Sequence, residues 1–165
     1  LVIEDGSRVQ VVYFLMDEAN VARQTALPWM AFGSDAGAQA PRGLFLKSST
    51  HPRTYGNFAR LLGKYVRDEQ RTSLADAVRR LSSMPASHLG LKDRGNLAAG
   101  QYADVVIFDP ATIADTATYA NPQQFAVGMH HVLVNGDPVL RDGKMTGARP
   151  GRSVRGPGWN KCPPL

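Results

Sequence analysis

The sequence predicts an α/β fold that gives way to short β-strands in its last part, on three observations. Nearly continuous apolar runs at residues 9–15 and 29–32 flank a helical segment. A strong helical period runs from Thr54 to Leu81. From Gly95 onward short apolar runs alternate with turn residues.

Val9, Val11, Val12, Tyr13, Phe14 and Leu15 read as a strand covered on both faces. Asp17 caps the helix that follows, with Glu18 in the first turn where the dipole favours negative charge. Pro28 closes that helix, and Trp29 to Phe32 reads as a second buried strand leading into Gly33-Ser34-Asp35. Two buried strands joined by a helix imply parallel pairing, because a tight hairpin cannot connect parallel strands. A long loop of small and polar residues, Ala36 to Arg53, comes next; loops of that length are functional or disordered.

From Thr54 the residues Tyr55, Phe58, Leu61, Leu62, Tyr65 and Val66 share one helical stripe. A further helix opens at Ser73, with Asp76 three residues on, and buries Leu74, Ala77, Val78 and Leu81. Met84 to Leu89 reads as a short helix with Pro85 in its first turn and Gly90 as terminator. Val105 to Phe108 is a strand ended by Asp109-Pro110. His131–Val134 and Pro138–Leu140 flank Asn135-Gly136, a strong hairpin signal.

The 165 residues are 43% hydrophobic and 20% charged, which argues against wholesale disorder. The longest unbroken apolar run, Val11 to Met16, falls far short of the ~20 residues that cross a bilayer, so no membrane partner is expected. Lys and Arg outnumber Asp and Glu by 19 to 14, giving +5, and the excess sits late, among the glycines and prolines of 146–165. That tail reads as solvated and irregular, with a nucleic-acid arm as the alternative. The single Cys162 allows no intrachain disulfide and is compatible with a reducing compartment. The chain opens at Leu1, which permits processing or a piece of something longer.

Asp35 stands where the expected strand hands over to the long loop, and strand ends of that kind face active sites in parallel α/β folds. A carboxylate there can ligate a metal or act as a general base; its plainer role is to cap the loop. Gly33 would let a neighbouring element approach closely. Pro52 keeps His51 extended. Arg53, at the helix mouth, can present a guanidinium fork to a substrate carboxylate or make a structural ion pair. His51 has no HxH or CxxC partner and is a weak metal-ligand signal. His130 and His131 are adjacent in a strand and point to opposite faces, and His88 reads as a surface or capping residue.

Gly33-Ser34-Asp35, His51-Pro52-Arg53-Thr54-Tyr55-Gly56 and Leu61-Leu62-Gly63-Lys64-Tyr65 together resemble the C-terminal third of N-acyl-D-amino-acid deacylases, or D-aminoacylases, in the metal-dependent amidohydrolase superfamily. Gly95 to Pro110 resembles the segment by which many amidohydrolase chains leave the barrel for a small β-sandwich. Val134-Asn135-Gly136 and Thr146 to Arg152 also fit the deacylase C-terminus. The loop before His51 is longer than in the best-known D-aminoacylases.

The resemblance implies the last strand–helix units of a (β/α)8 barrel over 1–94, strands of the small β-sandwich over 95–145, and a basic irregular tail over 146–165. It implies zinc, with Asp35 beside the metal as a ligand and handling the proton of the hydrolytic water. Arg53, with His51, would bind the carboxylate of an N-acyl-D-amino acid. The family's histidine pair and its other zinc ligands lie on earlier barrel strands, so this chain alone is not expected to hydrolyse anything. A missing N-terminal part or self-association is the expected partner, nucleic acid is not, and the expected compartment is the cytoplasm unless a signal peptide lies upstream. Two rivals stand beside this reading: an amidohydrolase with another amide substrate, and a non-catalytic basic binding module.

Overall fold

The helices begin where the sequence offers a group to hold their first amides. After a single turn, α1 (Val2–Asp5), Asp17 accepts the Asn20 N–H at 3.0 Å and opens α2 (Glu18–Thr25). Ser73 takes the Asp76 N–H at 3.1 Å and opens α4 (Leu74–Leu81). Between them, α3 (Arg53–Arg60) runs directly into a π-helical stretch, Leu61–Asp68, which ends with the Glu69 N–H on the Lys64 carbonyl at 2.8 Å. Then α5 (Ser83–His88) carries Pro85 in its first turn and stops at Gly90, whose φ of +68° lets the Leu91 N–H reach the Ala86 carbonyl at 2.9 Å. The structure is a computed structural model and describes residues 2–6, 13, 15–47 and 49–159. The apolar run expected as a first strand lies outside the described residues except for Tyr13 and Leu15, both exposed, and Cys162 also lies outside them.

The strands form one four-stranded antiparallel sheet in the order β1 (Val105–Phe108), β2 (Met129–Val134), β3 (Asp137–Arg141), β4 (Lys144–Met145). Val105 pairs with Leu133 and Val106 with Val132, while Val134 pairs with Asp137. Two tight turns close the meander. Asn135-Gly136 has φ of +52° and +90°, and Asp142-Gly143 has +49° and +72°. Positive φ at both central positions matches the twist of a right-handed hairpin. After Met145 the described part of the tail, 146–159, carries no strand or α-helix.

The core joins the helices to the sheet. Ala59, Leu62 and Ala77 pack with Ile113, and Phe108, Ala126 and Met129 press against them. This contact is close because the helix presents glycine there. A Cβ on Gly63 would come within 2.6 Å of the Ile113 carbonyl, and one on Gly56 within 1.7 Å of the Asp115 carboxylate. Those two glycines, seven positions apart, share a helix face. A second cluster of Ala22, Leu61 and Tyr65 docks α2 against the π-helix. There Glu18 accepts from Lys64 and, at 2.6 Å, from the Tyr65 hydroxyl. The Lys64 and Tyr65 hydrogen bonds hold the Glu18 carboxyl below its usual range. Burial and the Glu18 bond push the Tyr65 phenol up to about 12.

Trp29 to Phe32 is not a strand: Trp29 lies in a turn closed by the Met30 N–H on the Leu27 carbonyl at 3.2 Å, and parallel pairing is absent among the described residues. Its neighbours supply side-chain donors rather than a backbone ladder. Arg80 donates from Nε to the Met30 carbonyl and from Nη1 to the Thr25 carbonyl, both at 2.7 Å, and lies over the Phe32 ring at 4.2 Å. Helix α2 also stops at Thr25, before Pro28, and α3 starts at Arg53 rather than Thr54. No helix among the described residues is long and apolar enough to cross a membrane.

Candidate active site

The clamped segment 25–32 delivers Gly33, Ser34 and Asp35 to the mouth of α3. Asn57 donates to the Gly33 carbonyl at 3.1 Å. Asp35 itself sits at φ +49°, a left-handed conformation that aspartate tolerates better than most residues but that still carries strain. Its carboxylate, 85% exposed, meets Arg53 Nη2 at 2.7 Å, and the Arg53 side chain is 42% exposed. The two residues nominated for chemistry are therefore partners, and both open to solvent.

Pro52 caps α3 without a side-chain hydrogen bond, so His51 does the capping instead. Its Nδ1 accepts the Arg53 N–H at 3.1 Å, which orients the first residue of the helix. In the neutral ring that leaves the hydrogen on Nε2, where the Tyr119 hydroxyl lies 3.0 Å away. The rings of His51 and Tyr119 meet edge to face, with centroids 5.2 Å apart. Burial, and then the Arg53 charge, lower the His51 pKa and favour this neutral form. Thr50 and Thr54 share a hydrogen bond of 2.7 Å across the same corner.

The long loop is partly ordered by a 3₁₀ turn, Gly43–Leu46, whose Phe45 carbonyl accepts from Gln123 at 2.6 Å. Gly33 does not serve close approach, since a Cβ there would meet nothing within 4 Å; its carbonyl is what the structure uses. His88 borders a shallow cavity of about 430 Å³ on the α4–α5 face with Arg79, Ser83, Met84, Ser87 and Asn96. His130 and His131 belong to β2, and the Asp142 N–H donates to His131 Nδ1 at 3.3 Å. Among the described residues no three His, Cys, Asp or Glu side chains converge on one point. Asp35 is a single carboxylate, and zinc takes three or four protein ligands, so these residues alone do not fit the metal.

Two contributors escape the sequence reading. Asn57 follows Arg53 at i+4 on the same helix face, a spacing that signals a shared target. Tyr119 is 68 residues from His51 and has no local signal.

Residues 24–140 of this α/β chain match the amidohydrolase family, and the chain belongs to it. Among curated relatives it is 44% identical over 141 residues to a D-aminoacylase of Alcaligenes xylosoxydans xylosoxydans. That match covers 86% of this chain and 28% of the relative. A solved D-aminoacylase, described for the functional role of its binuclear metal center, superposes with a TM-score of 0.74 at 43% identity, over 82% of this chain and 27% of that one. An N-acyl-D-glutamate deacylase from Bordetella bronchiseptica, complexed with zinc and a phosphonate mimic of the tetrahedral intermediate, gives 0.69 at 42% identity, over 81% and 27%. The chain thus spans little more than a quarter of the length of these relatives, and it matches their C-terminal portion.

Proposed function

We propose that this chain is the C-terminal part of a zinc-dependent enzyme that hydrolyses the amide of N-acyl-D-amino acids. In this reading residues 1–94 end a (β/α)8 barrel, 95–145 supply strands of a small β-sandwich and 146–165 form a solvated tail. The enzyme is cytoplasmic unless a leader precedes the barrel. The remaining zinc ligands lie outside this chain, and Asp35 adds one carboxylate to them.

The observation that carries the reading is the Arg53–Asp35 pair at 2.7 Å, in which a half-exposed guanidinium already grips a carboxylate. A substrate α-carboxylate takes the same fork by exchanging with Asp35, because Arg presents paired donors in a fixed plane. Displaced from Arg53, Asp35 is free to turn to the scissile amide. It takes a proton from the attacking water as the water oxygen bonds to the acyl carbon. It returns that proton to the amine nitrogen as the C–N bond breaks, leaving a carboxylate and a free D-amino acid. Arg53 meanwhile fixes which end of the substrate faces Asp35.

Asp35→Asn in the full-length, zinc-loaded enzyme keeps shape and exposure but cannot take the proton. It should lower kcat by about 10²–10⁴-fold with an unchanged thermal midpoint. Turnover near that of the parent enzyme overturns the assignment.

A further inference from the structure

The segment between β1 and β2 does more than connect them. It closes on itself through the Ala114–Val127 bridge, the Thr116 hydroxyl on the Phe125 carbonyl at 2.7 Å, and Gln124 on the Thr116 and Asn121 carbonyls at 2.8 Å each. It seats on α3 where Gly56 leaves room for Asp115, whose carboxylate accepts the Ala117 N–H at 2.8 Å. From this self-bonded strap three side chains reach the site loop and the start of α3. Gln123 holds the Phe45 carbonyl, Tyr119 meets His51, and Phe125 stands edge to face on Tyr55 with centroids 6.1 Å apart.

We propose that Tyr119 is a positioning residue for Arg53, acting through His51. The connection is continuous: Tyr119 Oη to His51 Nε2, His51 Nδ1 to the Arg53 N–H, and the Arg53 guanidinium to a carboxylate. His51 is the hinge of this relay, because its ring can accept from Arg53 only while Nδ1 is bare. An acceptor opposite Nε2–H secures that tautomer and the ring's orientation. The phenol oxygen of Tyr119 is that acceptor, and the edge-on ring contact holds the imidazole plane. Arg53 heads the helix with no other side-chain cap, so the ring fixes the backbone position from which its guanidinium reaches toward Asp35. The inference rests on Arg53 as the carboxylate-binding residue; its new content is that the strap of the strand region sets substrate orientation.

The test uses the full-length, zinc-loaded enzyme with two substrates, an N-acyl-D-amino acid and its primary amide, which lacks the α-carboxylate. Tyr119→Phe should raise KM for the acid by about 2–10-fold, the span of one lost hydrogen bond, with kcat changed far less. KM for the amide should not move, because it makes no demand on Arg53. His51→Gln, whose amide can accept from Arg53 and donate to Tyr119, should retain more of the acid's KM than His51→Ala. An equal rise for both substrates, or no rise for the acid, overturns the inference. If the parent enzyme hydrolyses no N-acyl-D-amino acid, the proposed function falls and the ring nitrogens decide the relay. Nitrogen-15 shifts showing a bare Nδ1, and an Nε2 signal that moves on Tyr119→Phe, support it; an Nε2 signal that does not move refutes it.

Discussion

Two arginines on neighbouring helices, Arg80 and Arg53, use the same side chain for opposite ends. Arg80 has no exposed surface; its Nε and Nη1 donate to the Met30 and Thr25 carbonyls, Nη1 also meets Asp76 at 3.3 Å, Nη2 has no partner among the described residues, and its plane lies on Phe32. Such a guanidinium is spent on structure, satisfying carbonyls that no strand satisfies. Arg53 is 42% exposed, holds one carboxylate that is itself 85% exposed, and has its backbone N–H held by a histidine ring. An exposed ion pair contributes little to stability, about 0–1 kcal/mol, so the Arg53–Asp35 pair is a poor explanation of the fold and a good one of a site that exchanges partners. Burial and partner type, rather than residue type, separate the clamp from the binding group.

The comparison breaks most readily at Arg80. Arg80→Met in the full-length enzyme strips the Thr25 and Met30 carbonyls of their donors in a buried place. It should cost about 3–5 kcal/mol, read as a fall in thermal midpoint, and should disorder the approach to Asp35. A variant as stable as the parent would show that the clamp is ornamental and that the contrast fails. Asn57→Ala removes the second anchor of that approach, the bond to the Gly33 carbonyl. It should cost about 1 kcal/mol and lower kcat more than it raises KM, as substrate-saturation curves would show. Equal changes in the two constants would mean that Asn57 does not steer Asp35.

The smallest effect belongs to the Glu18–Tyr65 contact. The Tyr65 phenol ordinarily ionises near 10 and is pushed up to about 12 here, so between those values the unfolded chain loses a proton that the folded one keeps. Stability should therefore fall as pH rises from 10 to 12, and Tyr65→Phe should flatten that part of the thermal-midpoint profile. A profile identical in parent and variant would remove Tyr65 from the account.

Local chemistry made much of the fold legible beforehand. Asp17 and Ser73 are caps because their oxygens suit the first free amides of a helix, and Asn135-Gly136 is a hairpin because both residues tolerate positive φ. The same rule applied to Asp142-Gly143 finds β4, which the patterning left unassigned. Trp29 to Phe32 misleads because an apolar run says that a segment is covered and not what covers it; Arg80 stands where a neighbouring strand was expected. In the site, Asp35, His51 and Arg53 are nominated by sequence, but their order in one relay depends on which faces meet. Tyr119 arrives from a strap whose approach is set by Gly56 and Asp115, a tertiary fit with no periodic trace.

The central claim is that Arg53 binds the substrate carboxylate and passes orientation to Asp35. Steady-state kinetics of Arg53→Lys in the full-length, zinc-loaded enzyme, on an N-acyl-D-amino acid and its primary amide, tests it most directly. A single ammonium cannot reproduce the fork, so KM for the acid should rise by about 10-fold or more while the amide is hydrolysed as before, erasing the preference for the free carboxylate. A lysine variant that keeps the parent KM and the parent preference would return Arg53 to a structural ion pair and contradict the account.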